Sequence, residues 1–176
     1  DDQARLLWNR YYEVSIKNLV DAIHNSEDKL NVNAVLRIHR VYLLSVLADT
    51  YGDIPGTEAG LGYIAGIAAP KYDTVEDLYS WFFTELDACE KQLGTGTDHI
   101  SGDVTSMEGD VAKWKKYANS LRMRYAMRIS DANPTLAKEE FEKAMNNTDG
   151  YITSAADDAY IKYSDSPYTY YDGAND

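Results

Sequence analysis

Between Val32 and Tyr51 the chain carries Val35, Leu36, Ile38, Val41, Tyr42, Leu43, Leu44, Val46 and Leu47, which leave almost no polar side to a helix. A helix that is apolar nearly all round has to be covered on most sides, so this segment is expected at the centre of whatever the chain builds. Arg37, His39 and Arg40 interrupt it, which excludes a bilayer-spanning reading. Gly52 is placed to end the helix in a left-handed conformation, and Pro55 prevents it from resuming.

Four further helices are expected to supply the cover. The first runs from Gln3 to His24, with Trp8, Tyr12, Ile16, Leu19 and Ile23 on one face and Leu7, Tyr11 and Val14 widening it. The next is capped by Asp73 or Thr74, and a cap at Asp73 puts Glu76 at the third helical position. It carries Val75, Leu78, Tyr79, Phe82, Phe83, Leu86 and Leu93, and Gly94 ends it. Asp110 caps a helix with Trp114, Tyr117, Ala118, Leu121, Tyr125 and Ile129 in line. Asn133-Pro134 reads as a cap followed by first-turn proline, ahead of Ala137, Phe141, Ala144 and Met145, with Gly150 after them. Only Tyr160 to Tyr163 hints at a strand, and it is short. The fold class is therefore all-α, built of antiparallel helix pairs. Its expected core is Trp8, Leu36, Tyr42, Leu44, Leu47, Leu78, Phe82, Phe83, Leu86, Trp114, Leu121 and Tyr125. Two connections, Gly52 to Tyr72 and Gly94 to Gly109, are long enough to be functional or to pack against something. The helix starts do not repeat at the 34-residue tetratricopeptide period.

Composition narrows function by exclusion. With 44% hydrophobic residues and four prolines in 176, the chain is globular rather than disordered. A formal charge of −12 argues against nucleic acid and against adsorption to an anionic membrane surface. The lone Cys89 allows no internal disulfide and no multi-cysteine metal site, and its helical setting between Asp87 and Glu90 suits packing rather than reactivity. His24, His39 and His99 share no ligand spacing, and no H-E-x-x-H, G-x-S-x-G or phosphate loop is present, so no catalytic residue, metal site or cofactor is assigned. Asp98, Ser101, Asp103, Glu108 and Asp110 cluster in one loop, but their spacing does not match a calcium loop and Asp110 already serves as a cap. Lys113, Lys115, Lys116, Arg122, Arg124 and Arg128 crowd a segment without acids. They are expected to pair with carboxylates of neighbouring helices, with an anionic ligand as the sharper alternative.

Three motifs occur in order: Asp49-Thr50-Tyr51-Gly52-Asp53-Ile54-Pro55; Pro70-Lys71-Tyr72-Asp73-Thr74 running on to Leu78-Tyr79; and Gly109-Asp110 running through Lys113-Trp114 and Tyr117-Ala118-Asn119-Ser120-Leu121-Arg122-Met123-Arg124. Together they resemble the SusD/RagB family of outer-membrane nutrient-binding lipoproteins of Bacteroidetes, nearest its SusD-like type 2 branch. The resemblance covers roughly Asn33 to Tyr163. It implies tetratricopeptide-like helix pairs with long inserted loops and a non-enzymatic protein, lipid-anchored on the outward face of the outer membrane. Such a protein captures an oligosaccharide and acts as lid on a SusC-like TonB-dependent transporter. A peptide-binding member of the same family and a helical-repeat scaffold for another protein are the alternatives. Members are much longer and begin with a lipoprotein signal, so residues 1–176 are expected to be the N-terminal portion of a longer SusD-like helical domain.

Fifteen tyrosines invite a binding role, because a flat amphipathic ring stacks on a sugar face at low entropy cost. Tyr42, Tyr79, Tyr117 and Tyr125 lie on apolar stripes and are expected to pack. Tyr63 and Tyr72 in the loop after Pro55, with Tyr168, Tyr170 and Tyr171 near the end of the chain, are the candidate ligand contacts. For the fold, Leu121→Ala is expected to lower unfolding free energy by about 2–5 kcal/mol, measured by denaturant titration.

Overall fold

The computed structural model describes residues 2–161, with side chains from residue 5 onward. Helices α1 (Asp2–Arg10) and α2 (Lys17–His24) are joined without a break by a π-helical segment, Tyr11–Ile16. The long central helix is α3 (Leu30–Tyr51), followed by one short turn, α4 (Gly62–Ala65). Then come α5 (Val75–Gln92), α6 (Val111–Arg128) and α7 (Pro134–Met145), with a single 3-10 turn at Ala155–Asp157. Among the described residues there is no β-sheet, only isolated bridges at Ile54 with Asp73 and Thr105 with Ile161.

Each helix packs chiefly on its neighbour in the chain: α2 and α5 on α3, α6 on α5 and α7 on α6. The core runs through this stack. Ile16, Ile38, Val41, Leu44, Leu47, Leu78, Phe82, Leu86 and Trp114 are completely buried, and Phe83, Leu121 and Tyr125 nearly so. Trp8, Leu36 and Tyr42 depart from the expected core, being only half-buried. Helix α3 explains two of them. Val32, Leu36, His39, Leu43 and Val46 form a half-buried strip that α2, α5 and α6 do not cover completely, and Tyr42 flanks it.

The helix starts show how the chain reads its caps. Asp98 reaches back 67 residues to accept from the amides of Asn31 and Val32 at 3.1 and 3.0 Å, where α3 begins with no cap of its own. Thr74, not Asp73, caps α5: its hydroxyl accepts from the Asp77 amide and donates to the Asp77 carboxylate. Asp110 and Asn133 cap α6 and α7 as expected. Gly52 has the expected positive φ of 83°, but its ψ of −129° lies outside the left-handed helical region, where only glycine is at ease.

Asp73 is free for another task because Thr74 is the cap. Residues 54 and 73 exchange backbone hydrogen bonds, Ile54 N to Asp73 O at 3.2 Å and Asp73 N to Ile54 O at 2.9 Å. The Asp73 carboxylate accepts from the amides of Gly56 and Thr57 and from the Thr57 hydroxyl. Asp53 returns the favour by accepting from Val75 N at 3.0 Å, at the first turn of α5. Arg40 of α3 donates to the carbonyls of Gly56 and Thr57, its guanidinium lying over the Trp81 ring, and Tyr12 donates to the Pro55 carbonyl at 2.7 Å. Three helices are thus tied at one turn. No atom lies within 4 Å of where a Gly52 Cβ would stand, so the cost of a side chain there is backbone strain alone. Gly52→Val is expected to lower unfolding free energy by about 1–3 kcal/mol, and a melting temperature equal to the parent's would contradict it.

Candidate functional site

The turn at residues 53–57 returns the chain past the N-terminal helix, and four rings from three segments meet there. Trp8 lies at the centre of the group. Its ring is 4.6 Å from Tyr12 on the same helix, 5.1 Å and edge-on to Tyr51 at the end of α3, and 6.4 Å from Tyr72 at an interplanar angle of 21°. Tyr72 is held on both sides in the chain: Lys71 N donates to Glu58, Lys71 Nζ pairs with Asp73 at 3.3 Å, and Asp73 is locked as described. Tyr72 nevertheless stays 63% exposed. The result is a fixed backbone presenting a free aromatic face. Tyr12 contributes from below: burial, with the negative potential of Tyr72 and Asp73, pushes its hydroxyl well above the ordinary tyrosine range, so it stays a donor to Pro55.

The tyrosines singled out by sequence fall into three groups. Tyr72 joins the ring cluster. Tyr63 stands on α4 and is 95% exposed, while Leu61 and Ile64 beside it pack inward and fasten the turn. Tyr168, Tyr170 and Tyr171 lie outside the described residues. Trp8 and Tyr51 were absent from the candidate set. Trp8 sits at the helical spacing of a core residue, and nothing local reveals that a loop more than sixty residues later leaves it at the edge.

The other polar clusters are occupied. Burial raises the Asp103 carboxyl, but bonds from the Thr105 hydroxyl and amide, Gly109 N and Trp114 Nε1 outweigh it and hold the group below the usual carboxylate range. Asp98 caps α3 and Asp110 caps α6, so the acidic loop is spent on backbone amides, and no group of three or more metal-ligating side chains occurs among the described residues. Most cations of α6 are paired: Lys115 with Asp149, Lys116 with Asp157, Arg122 with Asp87 and Glu140, and Arg128 with Asp49. His39 is edge-on to Trp114 with its pKa pushed down by burial, and burial pushes the Cys89 thiol up to about 12. These settings favour the neutral, unreactive forms. What the ring cluster offers is a surface for stacking, with hydrogen-bonding groups at its rim.

Comparison with known proteins agrees with this architecture. The model of the SusD-like family, described as starch-binding and associating with the outer membrane, matches residues 1–174. No curated protein matches the chain. Among solved structures, a Bacteroidetes SusD-like protein is 43% identical, covering 96% of this chain and 32% of its own, with a TM-score of 0.82. A chitin-binding protein is 38% identical over 89% of this chain and 34% of its own, at a TM-score of 0.80. A chitin-binding SusD homologue from Flavobacterium johnsoniae is 30% identical over 90% and 33%, at 0.79. The chain spans about a third of the length of each of these structures. By the extent of the family match and by identity to these structures, the chain belongs to the SusD-like family.

Proposed function

We propose that the protein captures nutrient oligosaccharides at the cell surface as a binding protein rather than an enzyme. In this reading the captured glycan passes to a SusC-like TonB-dependent transporter, with a lipid anchor holding the protein on the outward face of the outer membrane. The observation that carries the reading is the Tyr72 ring, exposed yet backed by Trp8 on a turn tied down by Asp73 and Lys71. A rigid ring loses little entropy when a sugar stacks on it. The family description and the two chitin-binding relatives support a glycan as ligand. Tyr63, and in the terminal segment Tyr168, Tyr170 and Tyr171, are proposed as further contacts.

Titration of the chain with chitohexaose and with maltohexaose, followed by tryptophan fluorescence, tests this. Tyr72→Ala is expected to weaken binding about 2–12-fold, the equivalent of one aromatic contact of about 0.5–1.5 kcal/mol. Parent-like affinity of Tyr72→Ala with loss in Tyr63→Ala would move the site to α4. Binding of neither sugar would remove this face as a glycan site.

A further inference from the structure

The polar face of α6 holds the segment that follows α7. Lys115 pairs with Asp149 and Lys116 with Asp157, the Asn119 amide donates to Gly150 O at 2.8 Å, and the Ser120 hydroxyl accepts from Ile152 N at 2.9 Å. Ser106, ahead of the helix, accepts from Tyr160 N at 3.0 Å. Part of the basic run of α6 is therefore a track along which residues 149–160 return. At the start of the track the charges do not balance. Lys115 Nζ lies 3.0 Å from Asp149 and 3.9 Å from Glu90 of α5, one cation between two carboxyl groups from different elements. We propose that Glu90 and Asp149 hold one proton between them, and that its loss to solvent makes Lys115 exchange Asp149 for Glu90 and frees the turn at residues 147–149 from α5.

Burial decides where that proton sits. Glu90 is 3% exposed, whereas Asp149 keeps 40% of its side chain in solvent, so ionising Glu90 carries the larger desolvation cost. The two carboxyl groups are hydrogen-bonded to each other. Two carboxylate ions have no donor between them, so one of the pair must be the acid. Burial, and then the bond with Asp149, pushes the Glu90 carboxyl above the usual carboxylate range, while Lys115 and Asn147 pull it partly back. Asp149 is held below that range, chiefly by its bonds with Glu90 and Lys115. The proton is therefore on Glu90 and the charge on Asp149. Asn147 completes the clasp: its side chain donates to Glu90 and accepts from Asp149 N at 2.8 Å.

The other charged groups on the surrounding helices are matched elsewhere. On α5, Asp87 takes Lys91 and Arg122; on α7, Glu140 takes Arg122 and Lys143; and Arg37 of α3 is bound to Glu85. Among the described residues, Lys115 alone is within ion-pair distance of Glu90 or Asp149. A group raised on folding stabilises the fold at low pH and loses that contribution as pH rises through its folded value, while a lowered one loses it as pH falls through its own. The clasp is thus complete between the Asp149 and Glu90 values and opens as pH rises through that of Glu90. Above it, the buried anion has the greater need of Lys115, because an unpaired buried charge is costly and a half-exposed one can be hydrated. Asn119 and Ser120 do not titrate, so residues 150 and 152 remain on α6.

The test follows the Glu90 side-chain carboxyl carbon and the backbone amides of the full chain by magnetic resonance as pH is raised. The Glu90 carbon is expected to titrate above the ordinary glutamate range, with the amides of Asn147 and Asp149 moving at the same midpoint and that of Ile152 staying in place. Glu90→Gln keeps a neutral donor towards Asp149 and should abolish the transition at Asn147 and Asp149. Asp149→Asn, a change at a half-exposed site, should move the Glu90 midpoint down towards the ordinary range. A Glu90 midpoint already in that range would overturn the proposal, as would a transition at Asn147 that persists in Glu90→Gln. If Glu90→Gln does not fold, Asp149→Asn decides, and an unmoved Glu90 midpoint there would overturn it.

Discussion

The carboxylate of Asp73 is the interaction on which the arrangement of this chain most depends. It is buried beside the turn at residues 53–57 and receives the amides of Gly56 and Thr57 and the Thr57 hydroxyl, the last two at 2.7 and 2.8 Å. Burial alone would raise its pKa, yet the bonds from Thr57 and Lys71 reverse that and hold it below the usual range. Hydrogen bonds to a charged group are worth about 1.5–3 kcal/mol each, and losing such a partner also leaves buried amides unsatisfied. With Asp53 answering at α5, Arg40 of α3 and Tyr12 of the N-terminal helix close the turn from two further sides. Gly56 is part of the same constraint, because a Cβ there would collide with the Leu78 side chain.

This arrangement explains how a structural knot and the proposed binding face coincide. The residue immediately before Asp73 is Tyr72, so the bonds that immobilise Asp73 also fix the backbone of the exposed ring. The opposing ring, Trp8, precedes the π-helical segment that carries Tyr12, whose hydroxyl is anchored to Pro55. Wide helical turns of this kind are often found near functional sites.

The helices were legible in the sequence because their signals are local: Asp110 and Asn133 stand at caps, and Leu78, Phe82 and Leu86 repeat at helical spacing. The family could be read from three ordered motifs. What could not be read is non-local. Asp73 looks like a helix cap until Thr74 takes that role, and its real partners lie sixteen residues upstream. Asp98 looks like a metal ligand until its bonds to the start of α3 are seen. Trp8 reads as core because periodicity reports a face and not whether the face is covered. The half-buried strip of α3 is the same lesson on a larger scale: an apolar helix predicts cover, but not how complete the cover is. Of the tyrosines, Tyr72 stands out in the sequence by its position in a loop, while Trp8, the ring it stacks on, and Tyr51, which meets Trp8 from the other side, come from distant segments that no spacing rule connects.

The central claim is that the turn at residues 53–57 and the segment at residues 71–75 form one locked unit rather than two surface loops. Native-state amide hydrogen exchange measures this directly at Ile54, Gly56, Thr57, Asp73 and Val75, whose N–H groups all have partners within the unit. The account predicts that these five amides exchange together, with opening free energies close to those of the α3 and α5 core amides. Exchange at the rate of exposed loops, with α3 and α5 still protected, would contradict it.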